Sequence, residues 1–519
     1  MSFRRSISTW GLLFAAVGGM IGSGRLFGPY FAAQIAGPAS IFAWLIGGVL
    51  MIIVALTFAE LSSSFPLTGG SIRFLQLSHG SVVSFNMAWI AWISCIAVAP
   101  IETLALLHYA SHYFPSLMHE VQNVNLLTSR GMMVAAVLML LMCWINGCGA
   151  QKMTKVNNIL VLIKLTVSFF TIIVLFCLQF EPSNFTAHGM APYGLHGILA
   201  ALPSAGIIFS YIGYSPAIQL AGEAKNPQRS LPIAIIGALF ICIALYILLQ
   251  VAFIGALKPT DYAHGWARLS FNGDGGPLVG LVMSFGLAWF VKVMMFDASI
   301  SPFGTALLYT GSTARMCYAM GDNGYLPKKL MRLNKHGVPL RIIALDFFLG
   351  LLLFLPFPTW QTMMSFLVAA LVFAYAVGPL ALVVLRKTLP DHPRPFALPK
   401  PRWLCLLAFY ICNLIVYWTG WGIVSKIVVV IAAGYIGLFV ASRFKWLSHL
   451  TLKWAHSLWL IAHVALLGGL SYCGTFGGGH EYVSFGIDAV VMAVISVVIY
   501  EWALRSALSK EEVVAQGGY

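Results

Sequence analysis

Apolar residues occur along this chain in long blocks separated by short polar segments. A membrane-spanning helix needs about 20 predominantly apolar residues, and fourteen blocks have a length close to that requirement or above it. They lie near 8–36, 38–61, 81–113, 131–148, 156–179, 196–221, 231–256, 276–311, 339–356, 360–386, 402–420, 422–442, 455–473 and 484–506. The pattern therefore predicts an all-α integral membrane protein with fourteen transmembrane helices.

The first block is interrupted near its centre. Five glycines occur between residues 18 and 28, and Arg25 places a charge at membrane depth. Glycine in a helix interior costs about 1 kcal/mol relative to alanine, and an unsatisfied backbone group in lipid costs several kcal/mol. We therefore expect the helix to break here and its freed backbone groups to hold a ligand, as in the discontinuous helices of secondary transporters.

The sixth block carries a second interruption. Gly213 and Pro216 lie within it, and the hydroxyl groups of Ser210, Tyr211 and Tyr214 lie beside them. Interrupted segments in matching positions of two halves indicate a transporter site at the bilayer midplane. The alternative is that Gly and Pro are simply more frequent in membrane helices than in soluble ones.

Composition and charge support the membrane assignment. The chain is 60% hydrophobic and 9% charged, with a mean hydropathy of +0.87, whereas soluble domains contain about 25% charged residues. Most of the 30 Lys and Arg lie in alternate connections between blocks, which predicts that both termini are cytoplasmic. The net charge of +14 follows from this distribution and does not indicate a nucleic-acid partner. The first block is too long for a signal peptide and is expected to be retained.

Several other classes of chemistry lack support in the sequence. Nine cysteines are scattered through the apolar blocks, so we expect no structural disulfide, and Cys143 and Cys148 lack the accompanying ligands of a metal site. No phosphate-binding glycine motif occurs, and no nucleophile–base pair indicates an enzyme. No cofactor is expected.

Four motifs in order along the chain resemble a known family. They are Gly22-Ser23-Gly24 with Leu26-Phe27-Gly28, then Ala59-Glu60-Leu61, then residues 223–232, and then residues 314–327. Together they resemble the amino acid–polyamine–organocation (APC) superfamily of permeases. The chain length and residues 28–33 are also similar to a bacterial group of acidic amino acid–proton symporters.

The resemblance implies a LeuT-like fold with a five-plus-five inverted repeat and discontinuous helices 1 and 6. The transport core would comprise residues 1–387, with repeats at 1–180 and 190–387. Residues 388–519 would form spans 11–14 and a short cytoplasmic tail. The four C-terminal helices lie outside the repeat, and spans 13 and 14 are expected to serve packing or dimerisation.

The broken helices supply the candidate substrate site. A half-helix that begins near Ser23 has free N–H groups and a positive dipole end, which suit a carboxylate. Carbonyl groups at the end of the preceding half-helix suit an ammonium group. In the family, an aromatic residue at the position of Phe209 gates the pocket. The predicted substrate-binding residues are Met20, Ile21, Gly22, Ser23, Gly24, Arg25, Phe209, Ser210, Tyr211, Ile212 and Gly213.

Lys164 is the candidate proton carrier because an ionisable residue inside a span is functional by default. The resemblance places a lysine here in proton-coupled members, where sodium-coupled relatives bind sodium. A lysine that loses its proton when the site dehydrates would couple H⁺ to transport. The alternative is that Lys164 only pairs with a carboxylate or with carbonyls of span 1.

Three further charges within the blocks have open roles. Arg25 either clamps the side-chain carboxylate of an acidic amino acid, faces an aqueous vestibule, or pairs with Glu102. Glu102 and Asp297 are accessory candidates. Asp297 is expected to form a structural ion pair with Lys292, and the alternatives are a pair with Lys164 or with neither lysine.

These observations predict a bacterial inner-membrane permease that imports an amino acid by proton symport through alternating access. An acidic amino acid is the first substrate expectation. A neutral amino acid symporter and an exchanger are alternatives, and a non-transporting amino acid sensor is the alternative from another class. The expected partners are the amino acid and the lipid bilayer, and a homo-oligomer is left open.

Overall fold

The structure, a computed structural model, describes residues 5–67, 69–121, 124–270, 276–444, 447 and 450–517. Helices dominate the described residues. The first group is α1 (Thr9–Met20), α2 (Ser23–Ala36), α3 (Ser40–Ser64), α4 (Gly70–Ile96), α5 (Val98–Ala110), α6 (Ser129–Gly147) and α7 (Ala150–Leu178). The second group is α8 (Gly194–Ser204), α9 (Ile207–Tyr211), α10 (Ser215–Gln219), α11 (Pro227–Ala256), α12 (Pro277–Met283), α13 (Ala288–Asp322), α14 (Leu340–Leu352), α15 (Trp360–Tyr375) and α16 (Val377–Thr388). The third group is α17 (Pro401–Trp418), α18 (Trp421–Arg443), α19 (Leu458–Cys473), α20 (Ile487–Arg505) and α21 (Lys510–Gly517).

Length and hydropathy identify the helices that can cross a membrane. Among the described residues, 11 helices meet both criteria, or up to 12 when one bent pair is counted as a span. The short apolar helix α1 falls below the length criterion. The chain is therefore an all-helical, multi-pass membrane protein.

The first predicted break is confirmed. Helix α1 ends at Met20, α2 begins at Ser23, and Gly22 between them has a non-helical φ of −124° and ψ of −145°. Ser8 caps the start of α1 by accepting a hydrogen bond from the Gly11 N–H at 3.1 Å, which satisfies one of the unpaired donors of the first turn. The glycine-rich centre of the first block thus separates two half-helices.

The second broken helix has a large bend that precedes the predicted interruption in the sequence. The helix axis bends by 52° between residues 194–204 and 207–219, at Gly206, whose φ of +89° favours glycine. Residues 212–214 form a tight 3₁₀ turn. Pro216 lies in the first turn of α10, where a missing N–H costs little. The interruption predicted around Gly213 is therefore present as this turn, whereas the 52° bend at Gly206 was not predicted.

Two glycines bring the broken helices into contact. A Cβ on Gly213 would overlap the backbone of Gly19, and a Cβ on Gly19 would overlap the carbonyl of Gly213. Helix α1 also packs on α7, α11 and α13. The break between α1 and α2 is consequently enclosed by four other segments of the chain.

Two other predicted blocks differ from the observed helices. Helix α4 starts at Gly70 and passes Gly80, whose φ is +77°, so it begins before the predicted third block. The block predicted at 276–311 separates into α12 and α13. A short antiparallel hairpin of β1 (Met118–Val121) and β2 (Val124–Leu127) follows α5 and was not predicted.

Connections between helices meet at two ends of the molecule. We term the end of the molecule that contains Ser6, Glu223, Arg315 and Arg386 the basic face. At this face, the Ser6 N–H donates to the Glu223 carbonyl at 2.8 Å, and Ile7 forms a parallel bridge with Ala224. At the opposite face, Tyr30 donates to the Leu269 carbonyl at 2.9 Å. The loops of each face are therefore bound to one another.

Ion pairs reinforce the basic face. Arg315 contacts Glu223 at 2.5 Å. Arg386 donates to both carboxylate oxygens of Glu60, at 2.7 and 2.6 Å. Arg315 and Glu223 belong to two of the four sequence motifs, so their ion pair joins these motifs to each other.

Candidate functional site

The carbonyls at the end of α1 are held by side chains from two other helices, α11 and α13. Met20 accepts from the Tyr246 hydroxyl at 2.8 Å. Ile21 accepts from Ser301 and from Thr305, each at 3.2 Å. The last carbonyls of a helix lack intrahelical partners, so these neutral hydroxyl groups hold the Met20 and Ile21 carbonyls in position. Hydroxyl contacts of this kind are exchangeable with a ligand's ammonium group.

Lys164 reaches the same break from α7. Its ammonium group donates to the Gly18 carbonyl at 3.1 Å and to the Thr305 hydroxyl at 3.0 Å, and the residue is 0% exposed. The predicted contact with span 1 carbonyls is therefore present. Because Lys164 joins α1, α7 and α13, the loss of its proton would weaken the link between these three helices, since hydrogen bonds from a neutral amine are weaker than those from an ammonium group.

Glu102 occupies the start of the second half-helix. One of its carboxylate oxygens accepts from the Ser23 N–H at 2.9 Å, at the positive end of the α2 dipole. The other oxygen is buried and has no hydrogen-bond partner among the described residues. The chain thus places its own carboxylate where the sequence predicts that a substrate carboxylate binds.

Arg25 forms a buried ion pair with Asp297 and donates to the Ser168 hydroxyl at 2.9 Å. The open alternative of an Arg25–Glu102 pair was therefore wrong. The prediction of a Lys292–Asp297 pair was also wrong, because Lys292 is exposed. Residues five apart do not share a helix face, so Asp297 points inward while Lys292 points outward.

The Arg25–Asp297 pair leaves polar atoms without partners. Among the described residues, the Nε of Arg25 and the Oδ1 of Asp297 are buried and unpaired. A buried charge needs hydrogen bonds as well as an opposite charge. The pair therefore retains unused capacity for one donor and one acceptor of a ligand.

The second break contributes backbone and hydroxyl groups. Ser210 donates to the Gly206 carbonyl at 2.8 Å. The Ile212 carbonyl accepts from Tyr375 at 3.3 Å and from Tyr309 at 3.5 Å. The hydroxyl of Tyr211 instead donates to the Trp44 carbonyl at 3.0 Å on α3. Ser210 and Ile212 are therefore at the break, whereas the Tyr211 hydroxyl is engaged by α3.

Aromatic rings separate the breaks from the opposite face. Trp360 donates to the Ser23 hydroxyl at 2.8 Å, and its ring centroid lies 4.8 Å from Phe27, 5.9 Å from Phe31 and 6.1 Å from Phe209. Phe27 and Phe31 also line a cavity of about 670 Å³ that opens towards His112. Phe209 thus belongs to the aromatic cluster around Trp360.

The structure brings the sequence-predicted residues of both breaks into one buried region. A Cβ on Gly24 would touch the Phe209 ring at 3.1 Å and overlap the Ser210 hydroxyl. Gly22 and Ser23 are both buried. The N–H groups at the start of α2 and the carbonyls at the end of α1 therefore lie in one buried region, and such groups can bind the carboxylate and the ammonium group of a zwitterion.

Sequence reasoning identified Asp297 on α13 but missed Ser301, Thr305 and Tyr309 on the same helix and the aromatic residue Trp360. One signal was available. Asp297, Ser301, Thr305 and Tyr309 follow one another at intervals of four, which places them on one face of a helix. A polar stripe in a membrane helix indicates contact with protein or water. Trp360 gave no such signal, because tryptophan at a span terminus is typical of the membrane interface.

Comparison with known proteins gives consistent matches. A sequence model of the amino acid permease family matches residues 7–430. The chain is 34% identical over 514 residues to the glutamate/serine transporter AimA of Bacillus subtilis, across 98% of this chain and 95% of that protein. It is 31% identical over 512 residues to the aspartate-proton symporter of the same organism, across 98% of each. Human cationic amino acid transporter 4 is 29% identical over 416 residues, across 76% of this chain and 62% of that protein.

Proposed function

The chain belongs to the amino acid permease family, and from this premise we propose that it imports an amino acid together with a proton by alternating access. One observation carries the proposal. Lys164 contacts the Gly18 carbonyl and the Thr305 hydroxyl at the break between α1 and α2. The protonated ammonium group holds α1 against α7 and α13, and its deprotonation releases them. Substrate binding and proton binding then bias the same helices.

Glu102 takes part in this exchange. Its carboxylate accepts from the Ser23 N–H, and a substrate carboxylate would require the same donor. Protonation weakens Glu102 as an acceptor, because hydrogen bonds to an ionised group are roughly twice as strong as neutral ones. A proton on Glu102 therefore favours entry of the substrate carboxylate, which supplies a second point of coupling.

An acidic amino acid is the proposed substrate. The Arg25–Asp297 pair lies next to the break and retains unpaired polar atoms, so a substrate side-chain carboxylate would compete with Asp297 for the guanidinium. Two similar proteins are named for glutamate/serine and aspartate transport. The inclusion of serine in the first name favours a neutral amino acid as the second candidate.

The proposal includes the arrangement of the helices. We infer fourteen spans in total. The first ten form a LeuT-like core of residues 1–387, with repeats at 1–180 and 190–387, and spans 11–14 follow it. The two bent helices, α1–α2 and α8–α10, support the repeat because each lies near the start of one proposed half. The excess of Lys and Arg at the basic face supports cytoplasmic termini in a bacterial inner membrane.

Uptake by purified protein in sealed vesicles tests the proposal. Labelled glutamate, aspartate, serine and leucine are compared under an inward proton gradient. We expect concentrative uptake of an acidic amino acid that collapses with a protonophore. Uptake only into vesicles preloaded with amino acid would identify an exchanger. Binding without uptake in either condition would identify a sensor and contradict the transport proposal.

A further inference from the structure

A cavity remote from both helix breaks lies at the basic face. It has a volume of about 770 Å³ and is formed where α16, α17, α20 and α21 meet. Its lining includes four cations at the ends of these four helices. They are Lys387, Arg402, Arg505 and Lys510. The cavity therefore joins the last helix of the proposed transport core to the C-terminal helices.

The charge of the cavity is unbalanced. Glu501 is its one acidic lining residue, and Glu501 is paired with Arg402 at 2.7 Å. Among the described residues, no carboxylate lies within ion-pair distance of Lys387, Arg505 or Lys510. The cavity consequently has an excess of three positive charges, which suits an anionic ligand.

Apart from Thr388 and Ser509, the rest of the wall is apolar. Val383, Val384, Leu504, Ala507 and Leu508 line the same cavity. A soluble anion such as phosphate needs only the cations, and it gains nothing from aliphatic side chains. A ligand with a charged head and a hydrocarbon chain uses both surfaces.

Two tryptophans place the cavity at the depth of lipid headgroups. Trp403 is 70% exposed and follows Arg402, whereas Trp502 is 40% exposed and follows Glu501. Exposed tryptophans at the ends of spans are typical of the membrane–water interface. Basic pockets between helices at this depth bind the headgroups of anionic lipids.

We propose that this cavity binds an anionic phospholipid, with its phosphate between Lys387, Arg505 and Lys510 and an acyl chain along the aliphatic wall. The lipid bridges α16 and α20, which belong to different parts of the chain. Leu508 also donates its N–H to the Ser78 carbonyl at 2.9 Å, so the α20–α21 connection contacts α4. Lipid occupancy therefore stabilises the attachment of the C-terminal helices to the remainder of the protein.

Native mass spectrometry of the full-length protein tests the proposal. Phosphatidylglycerol and phosphatidylcholine with identical acyl chains are the probes. We expect phosphatidylglycerol to bind at least about tenfold more tightly, since each basic residue near an anionic surface adds several-fold to the attraction. The triple change K387Q/R505Q/K510Q should remove this preference and leave the Arg402–Glu501 pair in place.

A matched triple change controls for net charge. Lys328, Lys329 and Lys335 lie exposed in the connection after α13, outside the cavity. K328Q/K329Q/K335Q removes the same charge, and we expect it to keep the phosphatidylglycerol preference. Equal loss in both variants, or no loss in the cavity variant, would overturn the proposal.

Two measurements on the unmodified protein keep the test valid if the cavity variant fails to fold. A photoreactive phosphatidylglycerol should label peptides that contain residues 383–388 and 501–510, and labelling confined to other peptides would overturn the proposal. Excess inorganic phosphate should leave most of the labelling in place, because the acyl chain contributes to binding. Complete displacement by phosphate would identify a site for free phosphate and not for lipid.

Discussion

The two helix breaks that form the candidate site differ in charge. At the break between α1 and α2, Lys164, Glu102 and the Arg25–Asp297 pair are all in contact with the half-helices or buried beside them. Residues 194–222 around the second break contain no Asp, Glu, Lys or Arg, and the carbonyl of Ile212 is held by tyrosine hydroxyls. The charged residues of the candidate site therefore lie at the first break, whereas the second break presents neutral hydroxyl and carbonyl groups.

The physical reason for this division lies in the cost of buried charge. An ionised group in the membrane interior must be paired and hydrogen-bonded, and the first break concentrates the partners that do this. The hydroxyls at the second break exchange hydrogen bonds at a smaller cost, because a typical neutral hydrogen bond contributes about 0.5–1.5 kcal/mol. Substitutions at the first break should consequently have larger effects and should change proton coupling, whereas substitutions at the second break should leave that coupling unchanged.

The largest effect is expected from K164A. Without the ammonium group, the Gly18 carbonyl of α1 loses its charged partner, so an imposed pH difference should no longer drive accumulation. We expect concentrative uptake to fall at least about tenfold while exchange of labelled substrate persists, because the carbonyls of Met20 and Ile21 remain. K292A is the matched control, since Lys292 is exposed on α13. Full accumulation by K164A would exclude Lys164 as the coupling group.

D297N should have the next largest effect. It leaves Arg25 buried at 2% exposure without its ionic partner, and breaking a buried pair costs about 3–5 kcal/mol. Thermal unfolding in detergent should show the loss, and R25M/D297L should recover part of it because both charges are removed. If the double variant is no more stable than D297N, the pair is not the source of the effect.

E102Q tests the Glu102 carboxylate, which accepts a hydrogen bond from the Ser23 N–H at the start of α2. A neutral acceptor holds the Ser23 N–H less strongly, so a substrate carboxylate should displace it more easily. We expect apparent substrate affinity to rise by up to about tenfold at neutral pH, since 1.4 kcal/mol corresponds to a factor of ten. Binding measured from pH 5 to 8 should also depend less on pH. Unchanged affinity and pH dependence would show that Glu102 does not compete with substrate.

G213A tests the contact that joins the two breaks. Its methyl group would overlap the backbone of Gly19, and overpacking of this kind typically costs about 1–3 kcal/mol. We expect a lower unfolding temperature and slower uptake with unchanged coupling to protons. G437A is the control, because no atom lies within 4 Å of a Cβ built on Gly437. Equal stability of the two variants would contradict the close approach.

The smallest effect is expected from Y375F. The Ile212 carbonyl loses the hydrogen bond at 3.3 Å but keeps the contact from Tyr309, so the loss should be about 0.5–1.5 kcal/mol. We expect a change of several-fold in apparent KM and no change in the ratio of protons to substrate. A change in that ratio would show that the second break also participates in coupling.

Local composition allowed the first break to be predicted, because glycine content and a membrane-depth charge both act on the same few residues. The bend at Gly206, in contrast, was not predicted, and the reason is also local. Pro216 is harmless in the first turn of α10, while Gly206 adopts the left-handed conformation that bends the chain. Sequence alone does not distinguish these positions, because either residue type is compatible with a continuous span.

The partners of the buried charges required the three-dimensional structure. Arg25 and Asp297 are 272 residues apart in sequence, so their contact depends on how α2 packs against α13. The expected Lys292–Asp297 pair relied on proximity in sequence and neglected the helical period. The spacing of Asp297, Ser301 and Thr305 by four residues identifies the inward face of α13 when the helical period is applied. It does not identify the residues of other helices that this face contacts.

The backbone bridge between Ile7 and Ala224 has a consequence for the mechanics of the protein. Hydrogen bonds from Ser6 and Ile7 to Glu223, and from Lys225 back to Ile7, tie the beginning of α1 to the end of α10. We therefore expect these two half-helices to move together as one rigid unit, with the hinge region at the glycine contact. One rigid unit has fewer independent motions than two separate half-helices, so opening at the basic face should proceed in one step with one rate.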